Sequence, residues 1–320
     1  MSIPLLHIRI IFIVSHRKKA LFMSCCGSVK VDSRLEHIAN RHPCFSGEAN
    51  MKHGRLHLPV SPTCNIQCKF CKRSINKLEN RPGVSQTVLT PDAACNLVSK
   101  ALELCPEITV AGIAGPGDTL ATPYAIETFK LINEKYPDMI NCLSTNGLLL
   151  ERYTDELYSA GVRTVTVTVN AVDPDVQKEI CSWIVYDGVK YTGREAAEIL
   201  IEAQKRGIRK LAALDMLIKI NIVLIPGIND FHIEEIAKTV KECGANLINI
   251  IPLIPQHELS DVEAPSCFQL NEARTAAEKY LPVFRHCQHC RADACGIPGK
   301  GDLSSLLYET SGIPQTFSHG

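Results

Sequence analysis

Thr63-Cys64-Asn65-Ile66-Gln67-Cys68-Lys69-Phe70-Cys71 sets three cysteines at C-x3-C-x2-C spacing within one short segment. Three thiolates satisfy three irons of a four-iron cluster and leave the fourth iron open to a chelating amine and carboxylate. A zinc site is the plainer alternative, but zinc motifs usually come as C-x2-C pairs totalling four ligands. Incidental core thiols are the other alternative, and the tight spacing argues against them. The segment follows the apolar run Leu56–Val60, which reads as a strand. The triad therefore sits at a strand's C-terminal end, where α/β barrels gather their active sites.

Outward from this segment, short apolar runs alternate with helix-period stretches. The candidate strands are Leu56–Val60, Glu107–Ile113, Met139–Ser144, Arg163–Asn170, Leu217–Leu224 and Leu247–Pro252, each followed by a helical pattern. Thr90 can cap one helix with Pro91 at its first position, and Thr192 with Glu195 forms a capping box for another. Six βα units predict an α/β fold, a partial (β/α)6 barrel rather than a full eight. The expected organisation is an N-terminal extension at 1–22, an arm at 23–54, the barrel at 55–281 and a second arm at 282–320. Both arms carry cysteines or glycines, show weak periodicity and are expected to close the barrel.

Composition narrows the function. Of 320 residues, 34 are Lys or Arg and 34 are Asp or Glu, so the formal charge is zero and no basic face predicts nucleic acid. Fifteen cysteines cannot all pair as disulfides, and metal ligation in a reducing compartment accounts for them better. The apolar stretch Ile10–Val14 is too short to span a bilayer, and its charges follow it rather than precede it as in a signal peptide. A cytoplasmic protein without membrane contact is expected, with Met23 as an alternative start.

The triad resembles that of the radical S-adenosylmethionine (SAM) superfamily, in which SAM supplies the chelating amine and carboxylate. The glycines of Ala114-Gly115-Pro116-Gly117-Asp118 allow backbone carbonyls to approach a ligand closely, which suits Gly115 to the SAM amino group. Thr145 in Ser144–Gly147, Asn170 after the fourth strand and Lys219 in the fifth are polar groups at or near strand ends and complete the expected SAM site. Tight turns and capping are the bland readings of the same residues. Asp118, Arg81, Arg194, Arg291 and Asp293 can position SAM or move protons, or simply form ion pairs.

A closer resemblance is to the NifB family of nitrogenase cofactor biosynthesis. It is carried by Arg41–Cys44, Val60–Cys71, Arg81–Val84, Ala114–Leu120, Ser144–Gly147, Val169–Pro174, Gly193–Glu198, Ile225–Asp230, Pro252–Pro255 and Cys287–Ala294. The resemblance implies two further four-iron clusters, fused around a SAM-derived carbide with one added sulfur into an [8Fe-9S-C] cofactor precursor. One SAM methylates a cluster sulfide, and a second yields a 5′-deoxyadenosyl radical that takes hydrogen from that methyl. It also implies auxiliary ligands at Cys44, Cys142, Cys287 and Cys290; His37 is the expected nitrogen ligand, since a histidine is easier to displace than a thiolate from a cluster that must leave, and His42 competes for that role.

Cys44, His42, Cys287 and Cys290 could instead form one Cys3His zinc site. Two functional alternatives stand beside the maturase: a radical SAM enzyme acting on a peptide or small molecule, and a non-catalytic iron–sulfur carrier or zinc module. The C-terminal arm, following the sixth unit, is expected to fold over the mouth where SAM binds. Departures from the family pattern are the segment Ser74–Lys77, where many members have a cysteine, and Cys295, where many have valine. Many members continue into a small cofactor-carrying domain; this chain is expected to be the stand-alone form. Its expected partners are a nitrogenase cofactor carrier or scaffold, iron–sulfur donor proteins and an electron donor such as ferredoxin.

Overall fold

Strand Leu217–Leu224 shows how the sheet is built: Ile218, Ile220, Ile222 and Leu224 are fully buried in the main core, while Leu217, Lys219, Asn221 and Val223 take the opposite face. The apolar set packs against helix residues Ile208, Leu211, Ile233 and Ile236. In this computed structural model, which describes residues 33–308, the same alternation recurs along the sheet. Leu143, Val165 and Val167 join that outer core, leaving Cys142, Thr164 and Thr166 facing inward. The extension at 1–22, Cys25 and Cys26 lie outside the described residues.

Six strands, Gly54–His57, Ile108–Ile113, Ile140–Thr145, Val162–Thr168, Leu217–Leu224 and Leu247–Pro252, lie parallel and adjacent in chain order. With helices between them they form a partial barrel, as expected. The first strand ends at His57 rather than Val60, because Pro59 has no amide hydrogen to continue the ladder. Pro91 opens the helix Pro91–Leu104, and Thr90 accepts from Ala93 N at 3.3 Å. The capping box expected at Thr192 is not formed; its side chain makes no cap hydrogen bond. Gly193, at the first helical position, has φ +60, outside the helical region, so the following amides are not aimed at Thr192.

A hairpin, Cys181–Tyr186 and Val189–Thr192, is inserted after the fourth strand. Asp187 and Gly188 turn it with φ values of 50 and 78, as a two-residue type I′ turn requires. Its first strand pairs antiparallel with Ile66–Cys68, so the hairpin braces the cysteine loop.

The N-terminal arm forms helices Ser33–Ala39 and Gly47–Lys52. Leu35, Ile38, Ala39 and Phe45 pack with Val110, Ile140, Leu217 and Leu247, at or near the N-terminal ends of four strands, and so plug the barrel's lower end. The C-terminal arm joins both sheet edges. Phe284 N donates to Ile248 O at 2.7 Å on the sixth strand, and Cys295–Gly296 pairs antiparallel with Arg55–Leu56 of the first. The arm thus bridges the two edges, and its Ala292 Cβ comes within 3.4 Å of where a Cβ on Gly115 would stand, beside the mouth. Among the described residues, no helix is long and apolar enough to cross a membrane.

Candidate functional site

The cysteine triad lies on the loop after the first strand, locked to the loop after the second. Gly117 N donates to Ser61 O at 2.7 Å and Asp118 N to Thr63 O at 2.9 Å. The fit is close enough that a Cβ on Gly117 would stand 1.9 Å from the Thr63 carbonyl oxygen. Within the triad loop, Gln67 Nε2 donates to the carbonyls of both Cys68 and Cys71 at 3.0 Å. Asn146 Nδ2 donates to Asn65 Oδ1 at 2.6 Å and lies 3.9 Å from Cys64 Sγ.

Asp118 is the buried hub of this end. Its carboxylate accepts from Thr145 Oγ1 at 2.9 Å, Asn146 N at 2.6 Å and Leu120 N at 2.9 Å. Burial nevertheless raises its pKa above the usual carboxylate range, with those hydrogen bonds opposing. Burial likewise pushes the Cys64 thiol up to about 12, with Asp118 adding and Arg73 opposing. Cys68 and Cys71 are raised by burial too, with Arg73 again opposing. Neutral thiols must lose their protons on ligating metal, so metal binding and proton release are coupled here.

Three of the four expected SAM residues share this end. Gly115 follows the second strand with φ +122, a conformation open to glycine. Thr145 closes the third strand. Asn170 lies just past the fourth, its Oδ1 accepting from Val223 N and its carbonyl from Asn229 Nδ2, both at 2.9 Å. Lys219 is not among them. Near the start of the fifth strand, its Nζ donates to Cys44 O at 3.2 Å and lies 5.0 Å from the Phe45 ring and 5.6 Å from Phe284. The expectation that Lys219 grips SAM is therefore corrected: strand position puts it at the barrel's lower end.

That lower end assembles a second thiol group. Cys44 and Cys287 pack against the same cluster as Cys142, Phe45 and Phe284. Arg55 Nη2 donates to Cys290 Sγ at 3.1 Å. The Cys44 thiol is pushed up to about 12 by burial, with Lys219 opposing and Cys290 and Cys142 adding, so all four lie within electrostatic reach. Burial raises the Cys142 thiol as well. His42 is buried there, its Nδ1 accepting from Cys44 N at 3.1 Å and its Nε2 without a partner. His57, with Nδ1 2.9 Å from Arg291 O, is lowered to about 4, first by burial and then by Arg55.

His37 does not join this group. Leu35, Ile38 and Ala39 take the inner face of its helix, which leaves His37 on the exposed side with Arg41, Pro137 and Asp138. Arg55, His57 and Arg73 were missed in the sequence. Their signal for the first two is the alternation Arg55-Leu56-His57-Leu58, which sends polar residues to one face. Of the charged residues near the glycine loop, Arg291 pairs with Asp293 at 2.8 Å and Arg81 with Glu79, while Arg194 pairs at the surface with Asp175 and Glu198.

Both groups suit iron–sulfur ligation through soft thiolates. Among the described residues, no three His, Cys, Asp or Glu side chains converge as they would around one ion.

Residues 58–240 match the Radical SAM superfamily. The chain is 50% identical over 279 residues to the FeMo cofactor biosynthesis protein NifB of Methanocaldococcus infernus, covering 87% of this chain and 92% of that one. It is 43% identical to the like-named protein of Klebsiella pneumoniae, covering 82% of this chain and 58% of that one. A radical SAM methyltransferase from Sphaerobacter thermophilus shares the fold, with a TM-score of 0.52 at 18% identity over 72% of this chain and 65% of that one.

Proposed function

Because the chain belongs to the NifB family of FeMo cofactor biosynthesis proteins, within the radical SAM superfamily, we propose that it is a maturase that fuses two [4Fe-4S] clusters around a SAM-derived carbide, with one added sulfur, to give the [8Fe-9S-C] precursor. The observation that carries this reading is that one barrel holds two separate thiol groups, one at its mouth and a second whose Cys142 faces the barrel interior below it. Cys64, Cys68 and Cys71 follow a strand's C-terminal end, whereas Cys44 and Cys142 lie by Lys219 and Cys290 by Arg55, near the N-terminal ends. An enzyme whose substrate is itself a cluster needs a resident cofactor and a separate place for the substrate.

In this reading Cys64, Cys68 and Cys71 hold the resident cluster, which with SAM supplies a methyl group and a hydrogen-abstracting 5′-deoxyadenosyl radical. Gly115 offers its carbonyl to the SAM amino group, and Asn170 lines the same mouth. Thr145 acts indirectly, by fixing Asp118 between the glycine loop and the third strand. Cys44, Cys142, Cys287 and Cys290 take the cluster substrates. A nitrogen ligand from His37 requires its helix to turn the exposed face inward. An electron donor such as ferredoxin, iron–sulfur donor proteins and a cofactor carrier or scaffold are the partners of such a maturase, acting in the cytoplasm.

Anaerobic reconstitution tests the proposal. Three four-iron clusters give about twelve irons per chain, and the product formed with SAM and reductant should activate cofactor-free nitrogenase. About four irons with one zinc would overturn it. Twelve irons with turnover of a peptide or small molecule instead would place the chain with other radical SAM enzymes bearing auxiliary clusters.

A further inference from the structure

The lower chamber holds two buried cations that lack a carboxylate partner. Lys219 is 6% and Arg55 5% exposed, and among the described residues neither forms an ion pair with Asp or Glu. Lys219 has the Cys44 carbonyl and two ring faces. Arg55 has the Gly296 carbonyl and Cys290 Sγ, its Nε lacks a partner, and Asp302 acts on it only as the weakest of several influences. Carbonyls and aromatic faces offset only part of the cost of burying a charge.

The other side chains gathered there, Phe45, Phe284, His42 and the four cysteines, include no carboxylate. Before loading, the chamber therefore carries an excess of positive charge. Two four-iron clusters sharing these four thiolates take two apiece, so each is neutral when oxidised and anionic once reduced.

We propose that Lys219 and Arg55 are the counter-charges of the reduced iron–sulfur substrate held by Cys44, Cys142, Cys287 and Cys290, with Lys219 as a positioning residue for that anion. The inference rests on the reading of this chamber as the cluster-substrate site. It extends that reading by giving the chamber a charge requirement, met by anionic clusters and not by a free ferrous ion. Reduction adds negative charge to the bound cluster, so the same cations favour its reduced form.

The test compares wild type, Lys219→Met and Lys219→Arg after anaerobic reconstitution. Lys219→Met should lose its auxiliary irons to a chelator at least roughly tenfold faster than wild type, the scale of one lost charged interaction. Its auxiliary-cluster reduction potential should fall, whereas SAM cleavage at the triad should persist. Lys219→Arg should restore the potential and most of the retention. Without metal, Lys219→Met should be at least as stable as wild type, because an uncompensated buried charge is gone. A merely structural lysine would give the opposite order. If wild type binds about four irons, the chamber reading and this inference fall together. About twelve irons in wild type, with potential and retention unmoved in Lys219→Met, would overturn the counter-charge role alone.

Discussion

Replacing Gly117 with alanine tests whether the interlock of the two loops creates the triad site. The added Cβ would stand 1.9 Å from the Thr63 carbonyl oxygen and 2.4 Å from its carbon, so the loops must separate by more than an ångström. Overpacking of this kind costs about 1–3 kcal/mol. Separation also stretches the Gly117–Ser61 and Asp118–Thr63 backbone bonds, each worth about 0.5–1.5 kcal/mol. The combined loss is roughly 2–6 kcal/mol, felt where Cys64 is placed. Chemical unfolding of metal-free wild type and Gly117→Ala measures that loss, and iron analysis after reconstitution measures its consequence. The variant should lack about four irons and reductive SAM cleavage while keeping the auxiliary irons. Wild-type stability together with a full triad complement would refute the interlock.

Alanine at Cys64, Cys68 or Cys71 should abolish reductive SAM cleavage while about eight irons remain; equal loss of all iron in each variant would show that the two thiol groups are not separate sites. Alanine at Cys287 or Cys290 should remove about four irons and block product formation with the triad cluster still reducible, whereas zinc loss at unchanged iron would identify a structural metal. His57 titrates near 4 in the fold against 6.5 in the open chain. The unfolded state thus takes up a proton first as pH falls, and the stability present above 6.5 is lost progressively toward 4, by up to about 3 kcal/mol. Metal-free His57→Gln should lose less stability over that interval, and unfolding curves that run parallel to wild type would discount the buried imidazole.

Leu217–Leu224 and Leu247–Pro252 were legible to the residue, because apolar runs bounded by turn residues mark strands directly. The triad was legible from spacing alone. The hairpin at Cys181–Thr192 escaped notice, although Asp187-Gly188 is a strong turn signal, because its second strand is largely exposed and shows no apolar alternation. Lys219 was misplaced although its third place in Leu217–Leu224 already sets it near the strand's start, and the register against Leu247 fixes it low. His37 and His42 could not be separated by spacing. Which one faces inward depends on how the helix Ser33–Ala39 packs on the strand ends, a long-range choice.

The pairing of Arg55 with Gly296 also governs how the chain comes together in time. Contacts between segments so far apart in sequence carry a large loop-closure entropy and form late in folding. The triad loop meets its glycine partner across a much shorter stretch, between Thr63 and Asp118, and can be organised while the C-terminal residues are still being synthesised. Cys44 and Cys290 come from opposite ends of the described chain and face each other only after the last pairing closes. A nascent chain would therefore display the triad before the lower chamber exists, and metal delivered during synthesis would meet the two thiol groups in that order.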